Sequence, residues 1–211
     1  MRYMVIAFIL ISAKLEAQPI SVQVSQQGGA PVTNAVVEIH VRQPQVRESK
    51  QRQTLIISQN DRKFSPFISV VEVGRKVEFI NQDRISHHIY SLVGPEQFSF
   101  MLKPGNNKMQ KVFWSTGIAA MGCNIHDWMS GYLKIVGTPY YGLTDEQGTF
   151  KLQLPIDYSI SNVTVWHPQL TSTLRVNNPK KSDLKFSTLE KLQPIPTQNP
   201  PKPIRFMQRY R

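Results

Sequence analysis

The stretch Gly122-Cys123-Asn124-Ile125-His126-Asp127-Trp128-Met129-Ser130-Gly131 decides which fold and function this sequence predicts. It follows the β-rich segment Val112-Phe113-Trp114 and places a thiol, an imidazole and a thioether at three-residue intervals. Glycines near both ends permit sharp turns. A tight turn would bring Cys123, His126 and Met129 toward one point, which is the arrangement that a small metal ion needs.

The chemistry of these three side chains indicates which metal to expect. Thiolate and thioether sulfurs are soft ligands that favour copper, whereas a closed structural zinc site usually has more cysteines. The chain has a single cysteine. Two histidines and one cysteine in a trigonal arrangement, with a weak axial methionine, form the blue (type 1) copper site. The pattern therefore predicts one copper ion per chain and requires one more histidine.

A pair of histidines upstream can supply that ligand. His87 and His88 follow the apolar run at residues 77–80 after a short polar stretch. Adjacent residues on a strand point to opposite faces, so only one of the two can face the metal. We assign His87 as the ligand, and His88 stays open as the alternative.

Each of these residues also has an ordinary interpretation. Methionine commonly fills gaps in a core, and a single free cysteine can be a small buried hydrophobe. His126 alone could be a loop histidine. What favours a metal site is the joint occurrence of the single cysteine, the spacing and an upstream histidine after a strand. A chain without metal remains the alternative.

Strand signals dominate the rest of the sequence. Short runs rich in β-branched and aromatic residues are separated by glycine, proline, asparagine and aspartate, and no long stretch repeats apolar residues at helical spacing. This pattern is typical of antiparallel sandwiches, so we expect an all-β fold. The predicted strands include residues 22–24, 36–41, 70–73, 77–80, 111–114 and 162–167.

Residues from roughly 55 to 136 resemble the cupredoxins. The motifs that carry the resemblance are Val73-Gly74, Val77-Glu78-Phe79-Ile80-Asn81, Lys103-Pro104-Gly105, His87 and the segment from Cys123 to Gly131. The short Cys-x-x-His-x-x-Met spacing is most similar to amicyanin, whereas plastocyanin and pseudoazurin have a longer gap before methionine. The resemblance implies a Greek-key β-sandwich with a type 1 copper ion bound by His87, Cys123, His126 and Met129.

The resemblance also implies residues that support the ligands. Cupredoxins usually carry the first ligand in Pro-His-Asn, and the asparagine helps to hold the cysteine loop. This chain has Ser86-His87-His88 instead. His88 therefore takes the asparagine position and is expected to support the ligands through a hydrogen bond, as is Asn81.

Two flanking segments resemble a carboxypeptidase regulatory-like β-sandwich. They are Ala30-Pro31-Val32-Thr33-Asn34-Ala35-Val36-Val37 and Thr144-Asp145-Glu146-Gln147-Gly148-Thr149-Phe150. Such stretches normally lie close together in sequence, so we infer that the cupredoxin unit is inserted between two halves of this domain. The combination is similar to bacterial proteins labelled methylamine utilization proteins. One sandwich with decorated ends is the simpler alternative. The expected segments are a signal peptide (1–17), the first half (18–53), the cupredoxin domain (54–136), the second half (137–178) and a basic proline-rich tail (179–211).

The two ends of the chain predict export and a possible surface contact. Residues 1–17 combine Arg2, a short apolar run and Ala17, which is typical of a signal peptide. A buried N-terminal helix or strand is the alternative. The run is shorter than the ~20 residues that a transmembrane helix needs, so we expect a periplasmic bacterial protein without a membrane span. The tail is either a solvated end or a basic arm that contacts a membrane surface or an acidic partner.

Charge narrows the partners and the function. Lysine and arginine total 25 against 14 acidic residues, a formal net charge of +11. No nucleic-acid-binding motif organises these charges, so we expect an acidic redox protein as partner rather than nucleic acid. The predicted function is a periplasmic type 1 copper protein that carries single electrons and is not an enzyme. The alternative is an exported copper-binding, copper-handling or assembly module without an electron-carrier role.

Overall fold

The computed structural model describes residues 17–42, 53–105, 107–155, 158–180, 182–188, 191–196 and 198–200. The secondary-structure elements in these ranges are all β-strands. They form four sheets, which confirms the all-β fold. In the same ranges, no helix has the length and apolar character needed to cross a membrane. The strands are β1 (Ala17–Ser25), β2 (Val36–Val41), β3 (Leu55–Asn60), β4 (Lys63–Ser65), β5 (Ile68–Glu72), β6 (Lys76–Asn81), β7 (His87–Ser91), β8 (Phe98–Leu102), β9 (Lys108–Val112), β10 (Gly117–Cys123), β11 (His126–Val136), β12 (Tyr141–Leu143), β13 (Thr149–Pro155), β14 (Ile160–Trp166), β15 (Leu174–Asn177) and β16 (Asp183–Ser187).

Strands β3 to β11 form a sandwich, the inner sandwich, that contains all the predicted ligands. One sheet has the order β5-β11-β10-β7-β8 and the other has the order β4-β3-β6-β9. Side chains of both sheets meet in one buried cluster, which includes Phe79, Ile89 and Leu133. The alternating sequence of β10 buries Ala119, Met121 and Cys123 on one face. The period-two rule that builds the core therefore also turns Cys123 inward at the end of its strand.

Strands β1, β2 and β12 to β16, the outer strands, form the other two sheets, the outer sheets. Their orders are β13-β1-β16 and β12-β2-β14-β15, so strands from both ends of the chain pair with each other. Val22, Ile39, Leu154 and Val165 belong to the buried cluster that these sheets share. The chain thus leaves this pair of sheets after β2 and returns at β12. Its assignment as a carboxypeptidase regulatory-like domain stays a prediction.

A small third cluster joins the two groups of strands. Val36 and Trp166 from the outer strands are buried together with Ile68 and Val136. Beside them, Lys134 Nζ lies 3.0 Å from a carboxylate oxygen of Glu38, and both side chains are largely buried. Removal of either partner would leave an uncompensated charge in a largely buried place, which is costly.

The tail predicted from residue 179 is wrong in its first part. Strand β16 pairs in parallel with β1, and Leu184 and Phe186 are buried in the core of the outer sheets. Asp183-Leu184-Lys185-Phe186-Ser187 alternates polar and apolar residues, which is a strand signal, but over only five residues. The remaining tail from residue 201 and the predicted signal peptide up to residue 16 lie outside the described residues.

The chain beyond β16 continues along the sandwich that carries the ligands. The Gln198 side chain accepts a hydrogen bond from the Phe64 backbone N–H (2.5 Å) and donates one to the Phe64 carbonyl (2.9 Å). Phe64 lies on the edge strand β4, so this amide completes hydrogen bonds that an edge strand would otherwise expose. The Pro196 carbonyl accepts a hydrogen bond from Ser130 Oγ at 3.3 Å.

His167 gives the outer strands a pH-dependent stability. Its side chain is buried, and burial lowers its pKa to about 4. Unfolding lets the imidazole take up a proton below its ordinary pKa, so the folded protein loses stability as pH falls from about 6.5 toward 4. Between pH 6.5 and 4, we expect the unfolding free energy of His167→Gln to fall by about 2 kcal/mol less than that of the parent protein. Chemical denaturation of both proteins across this range measures the difference. His40→Gln, at a histidine whose side chain is 33% exposed, is the control, and an equal effect there would contradict the assignment.

Candidate metal centre

Three of the predicted ligands converge at one end of the inner sandwich. His87 begins β7, Cys123 ends β10 and His126 begins β11. Cys123 Sγ lies 3.6 Å from His87 Nδ1 and 3.7 Å from His126 Nδ1. All three donor atoms lie within 4.8 Å of one another. The structure thus brings together residues that are far apart in sequence.

The turn between β10 and β11 produces this arrangement. Cys123 pairs with His126, so only Asn124 and Ile125 form the turn, and the residues expected in an open loop belong mainly to a strand. The register then shifts, because Gly122 pairs with Ser130. This bulge adds residues to β11 on one side of the pair and re-aims their side chains. The Asn124 N–H donates to the His88 carbonyl at 2.9 Å, which ties the turn to β7.

The spacing of the donor atoms fits a bound transition metal. A metal at about 2.0 Å from a ring nitrogen and about 2.3 Å from a sulfur, with about 120° between them, holds these two atoms about 3.7 Å apart. The two observed sulfur–nitrogen distances are 3.6 and 3.7 Å. One sulfur and two imidazole nitrogens match the donor set of a blue copper site.

Burial differs among the predicted ligands. His87 is fully buried, Cys123 and Met129 are each 2% exposed, and His126 is intermediate. Met129 belongs to the same buried cluster as Cys123, beside the partly buried Trp128. The Trp128 ring lies 5.2 Å from the ring of His126. Of the three clustered side chains, His126 is therefore the one that reaches the protein surface.

Hydrogen bonds favour the thiolate form of Cys123. Burial raises the pKa of the thiol, but hydrogen bonds with His87, with the backbone N–H of Ile125 and with His126 outweigh it and lower the pKa to about 6. The thiolate is the form of cysteine that binds metals. A pKa in this range favours the thiolate at neutral pH.

A carboxylate that the sequence analysis did not single out lies behind His87. Asp83 Oδ2 is 2.7 Å from His87 Nε2, on the ring edge opposite Cys123. Burial lowers the pKa of His87, but hydrogen bonds with Cys123 and Asp83 outweigh this effect and raise it. For Asp83 the directions are reversed. Burial raises its pKa, but hydrogen bonds with the Arg62 backbone, with His87 and with the Asp61 backbone outweigh this effect and lower the pKa.

His88 does not support the cysteine turn through its side chain. Its Nε2 lies 2.8 Å from Ser99 Oγ on the neighbouring strand β8, and only its backbone carbonyl contacts the turn. The expectation of a side-chain hydrogen bond from His88 to the ligand region is therefore wrong. Strand alternation explains this, because an inward His87 turns His88 to the outer face.

Asn81 is fully buried and organises the loop that leads to His87. Its Nδ2 lies 2.8 to 3.0 Å from the carbonyl oxygens of Ile85, Leu102 and Lys103, and its Oδ1 accepts the backbone N–H of Asp83 at 2.9 Å. No ligand is among these partners. Asn81 thus acts on the site through the position of Asp83.

The two adjacent histidines give a direct test of the ligand assignment. We expect His87→Gln to weaken copper binding by at least tenfold, because outer residues that orient ligands already contribute about 10–100-fold. The matched variant His88→Gln removes an imidazole that contacts Ser99, and it should leave the affinity almost unchanged. Competition with a chelator measures both affinities. A large loss in His88→Gln with no loss in His87→Gln would reverse the assignment.

Comparison with known proteins gives similarity to solved structures alone. No family model matches the sequence, and no curated protein matches it. A copper-containing nitrite reductase from Thermus scotoductus SA-01 is 22% identical over 41% of this chain and 23% of its own length, with a TM-score of 0.39. An oxidised amicyanin variant is 18% identical over 47% of this chain and 98% of its own (TM-score 0.37). A purple cupredoxin from Nitrosopumilus maritimus is 22% identical over 39% and 99% (TM-score 0.36). Each of these similarities covers less than half of this chain.

Proposed function

We propose that this protein binds one type 1 copper ion and carries single electrons between redox partners. The observation that carries the proposal is the convergence of the Cys123 sulfur with the Nδ1 atoms of His87 and His126. A cysteine thiolate with two imidazoles is the strong-ligand set of blue copper sites. Met129 is proposed as the weak axial ligand, because its buried thioether lies in the same cluster as Cys123.

The side chains suit a centre that changes its charge without changing its shape. Bound copper would supply a one-electron couple between its two common oxidation states. Cys123 and His87 are held by strands β10 and β7, which pair with each other, and the turn is tied to the His88 carbonyl. Ligands fixed on rigid elements need little rearrangement when an electron arrives or leaves. A fixed site of this kind favours electron transfer over substrate chemistry.

His126 is the proposed contact point with redox partners. It is partly exposed, whereas His87 and Cys123 are buried. The net charge of +11 favours partners with acidic surfaces and speeds their encounter. Screening by salt weakens such steering, so the association rate with an acidic partner should fall as ionic strength rises.

The proposed location is the bacterial periplasm. This rests on the signal-like residues 1–17, with their short apolar run after Arg2. Exported proteins experience oxidising conditions, in which a free thiol tends to form disulfides. A buried Cys123 that serves as a metal ligand is consistent with such a compartment.

Cyclic voltammetry of the copper-loaded protein tests the carrier role. We expect one reversible one-electron wave, with copper retained over repeated cycles. The competing function is copper handling, which requires release to a partner. Loss of copper to a Cu(I) chelator during the reduced half of each cycle would contradict the carrier proposal and support that alternative.

A further inference from the structure

Asp83 contacts the proposed ligand His87 and is itself held in place by several hydrogen bonds. Its Oδ2 lies 2.7 Å from His87 Nε2, and its side chain is only 12% exposed. The Nδ1 atom of the same imidazole faces Cys123 Sγ. A neutral imidazole that donates Nε2–H to a carboxylate has its lone pair on Nδ1. This is the tautomer required for metal binding through Nδ1.

Three further hydrogen bonds hold Asp83 in place, two at its carboxylate and one at its backbone. Asp83 Oδ1 accepts the Asp61 N–H at 2.7 Å, and Oδ2 accepts the Arg62 N–H at 3.0 Å. Its own N–H donates to the buried Asn81 side chain at 2.9 Å. The carboxylate therefore cannot rotate away from His87 without breaking bonds to the turn between β3 and β4.

The turn that holds Asp83 has a costly backbone conformation. Asp61 and Arg62 have φ values of 51° and 56°, in the left-handed region that non-glycine residues seldom adopt. Each such residue costs about 1–2 kcal/mol. The backbone N–H groups of both residues donate to the Asp83 carboxylate. The strain is offset by binding the Asp83 carboxylate, which links this turn to the metal centre.

We infer that Asp83 is a positioning residue that fixes the tautomer of His87 and lowers the reduction potential of the centre. The inference rests on the proposed copper function. With a divalent ion, the charges of the Cys123 thiolate and Asp83 sum to neutrality, whereas a monovalent ion leaves one uncompensated negative charge. A buried site favours the neutral combination, so the Asp83 charge stabilises the oxidised state.

Asp83→Asn tests the electrostatic part of the inference. It removes one negative charge and nearly preserves the shape. Glu78→Gln is the matched control, because this carboxylate on β6 pairs with Lys108 and Gln110. We expect Asp83→Asn to change the ratio of Cu(II) to Cu(I) affinity by at least tenfold toward Cu(I), an upward shift of about 59 mV in potential. Glu78→Gln should shift it much less. Equal shifts in both variants would overturn the inference. A carboxylate with no specific effect on the centre would change the reduction potential no more than Glu78 does.

The tautomer is tested on the copper-free protein, so it does not depend on the copper function. Nitrogen-15 NMR of the imidazoles at about pH 8 should show that His87 Nε2 carries a proton. Asp83→Ala should lose this preference, while Glu78→Gln keeps it. An unchanged His87 tautomer in Asp83→Ala would overturn the positioning role. If the parent protein fails to bind copper but shows the expected tautomer shift, the copper proposal fails and the role of Asp83 in orienting His87 stands.

Discussion

Replacement of Cys123 by serine is expected to abolish the intense visible absorption of the copper-loaded protein and to weaken copper binding more than a hundredfold. The absorption of a blue copper site comes from charge transfer between the thiolate and the metal. A serine hydroxyl is a harder ligand and remains protonated at neutral pH, so it replaces neither the charge nor the softness of the sulfur. Visible spectroscopy and chelator competition measure the two effects.

Met121→Leu provides the matched control for that substitution. Met121 lies two residues earlier on the same inward face of β10 and is also buried. Exchange of methionine for leucine nearly conserves volume and costs less than about 1.5 kcal/mol. The control should keep the absorption band and the affinity. Persistence of the band in Cys123→Ser would show that the sulfur is not a ligand.

Gly148→Ala is expected to destabilise the outer strands by about 3 kcal/mol, the combined cost of a left-handed alanine and of overpacking. Gly148 has a φ of 71°, and a Cβ atom there would lie 2.4 Å from the Val24 carbonyl oxygen. That clash is with backbone, and Val24 N–H also donates to the Gly148 carbonyl. The turn cannot shift without losing its contact to β1. Chemical denaturation measures the change.

Gly28→Ala separates the clash from the backbone strain. Gly28 has a φ of 98°, but nothing lies within 4 Å of the position of its Cβ atom. Only the conformational cost applies there, so we expect a loss of about 1 kcal/mol. Equal losses in both variants would contradict the packing of the turn at Gly148 against β1, and with it the pairing of strands from the two ends of the chain.

Local patterns in the sequence were sufficient to predict several of the strands and the clustering of His87, Cys123 and His126. Short runs rich in β-branched and aromatic residues predicted β2, β6 and β14, and the structure has strands there. The spacing of Cys123 and His126, together with an upstream histidine after a strand, indicated the cluster. Strand geometry also required that His87 and His88 face opposite ways, although it did not determine which one faces inward.

Other features of the site depend on contacts between distant parts of the chain. Asp83 was not predicted, because its role requires the β3–β4 turn and the His87 ring to meet at one point. The partner of the His88 side chain is Ser99, which lies on another strand. Strand β16 was missed because its pairing partner is β1, at the other end of the chain. Such pairings are set by tertiary packing, to which strand propensity is a weak guide.

Addition of one equivalent of Cu(II) to the purified protein tests the copper site most directly. We would record visible absorption and electron paramagnetic resonance on the same sample. The account predicts an intense thiolate-to-copper band and a narrow copper hyperfine splitting, both saturating at one copper per chain. A colourless protein, or the wide splitting of an ordinary tetragonal copper site, would contradict it.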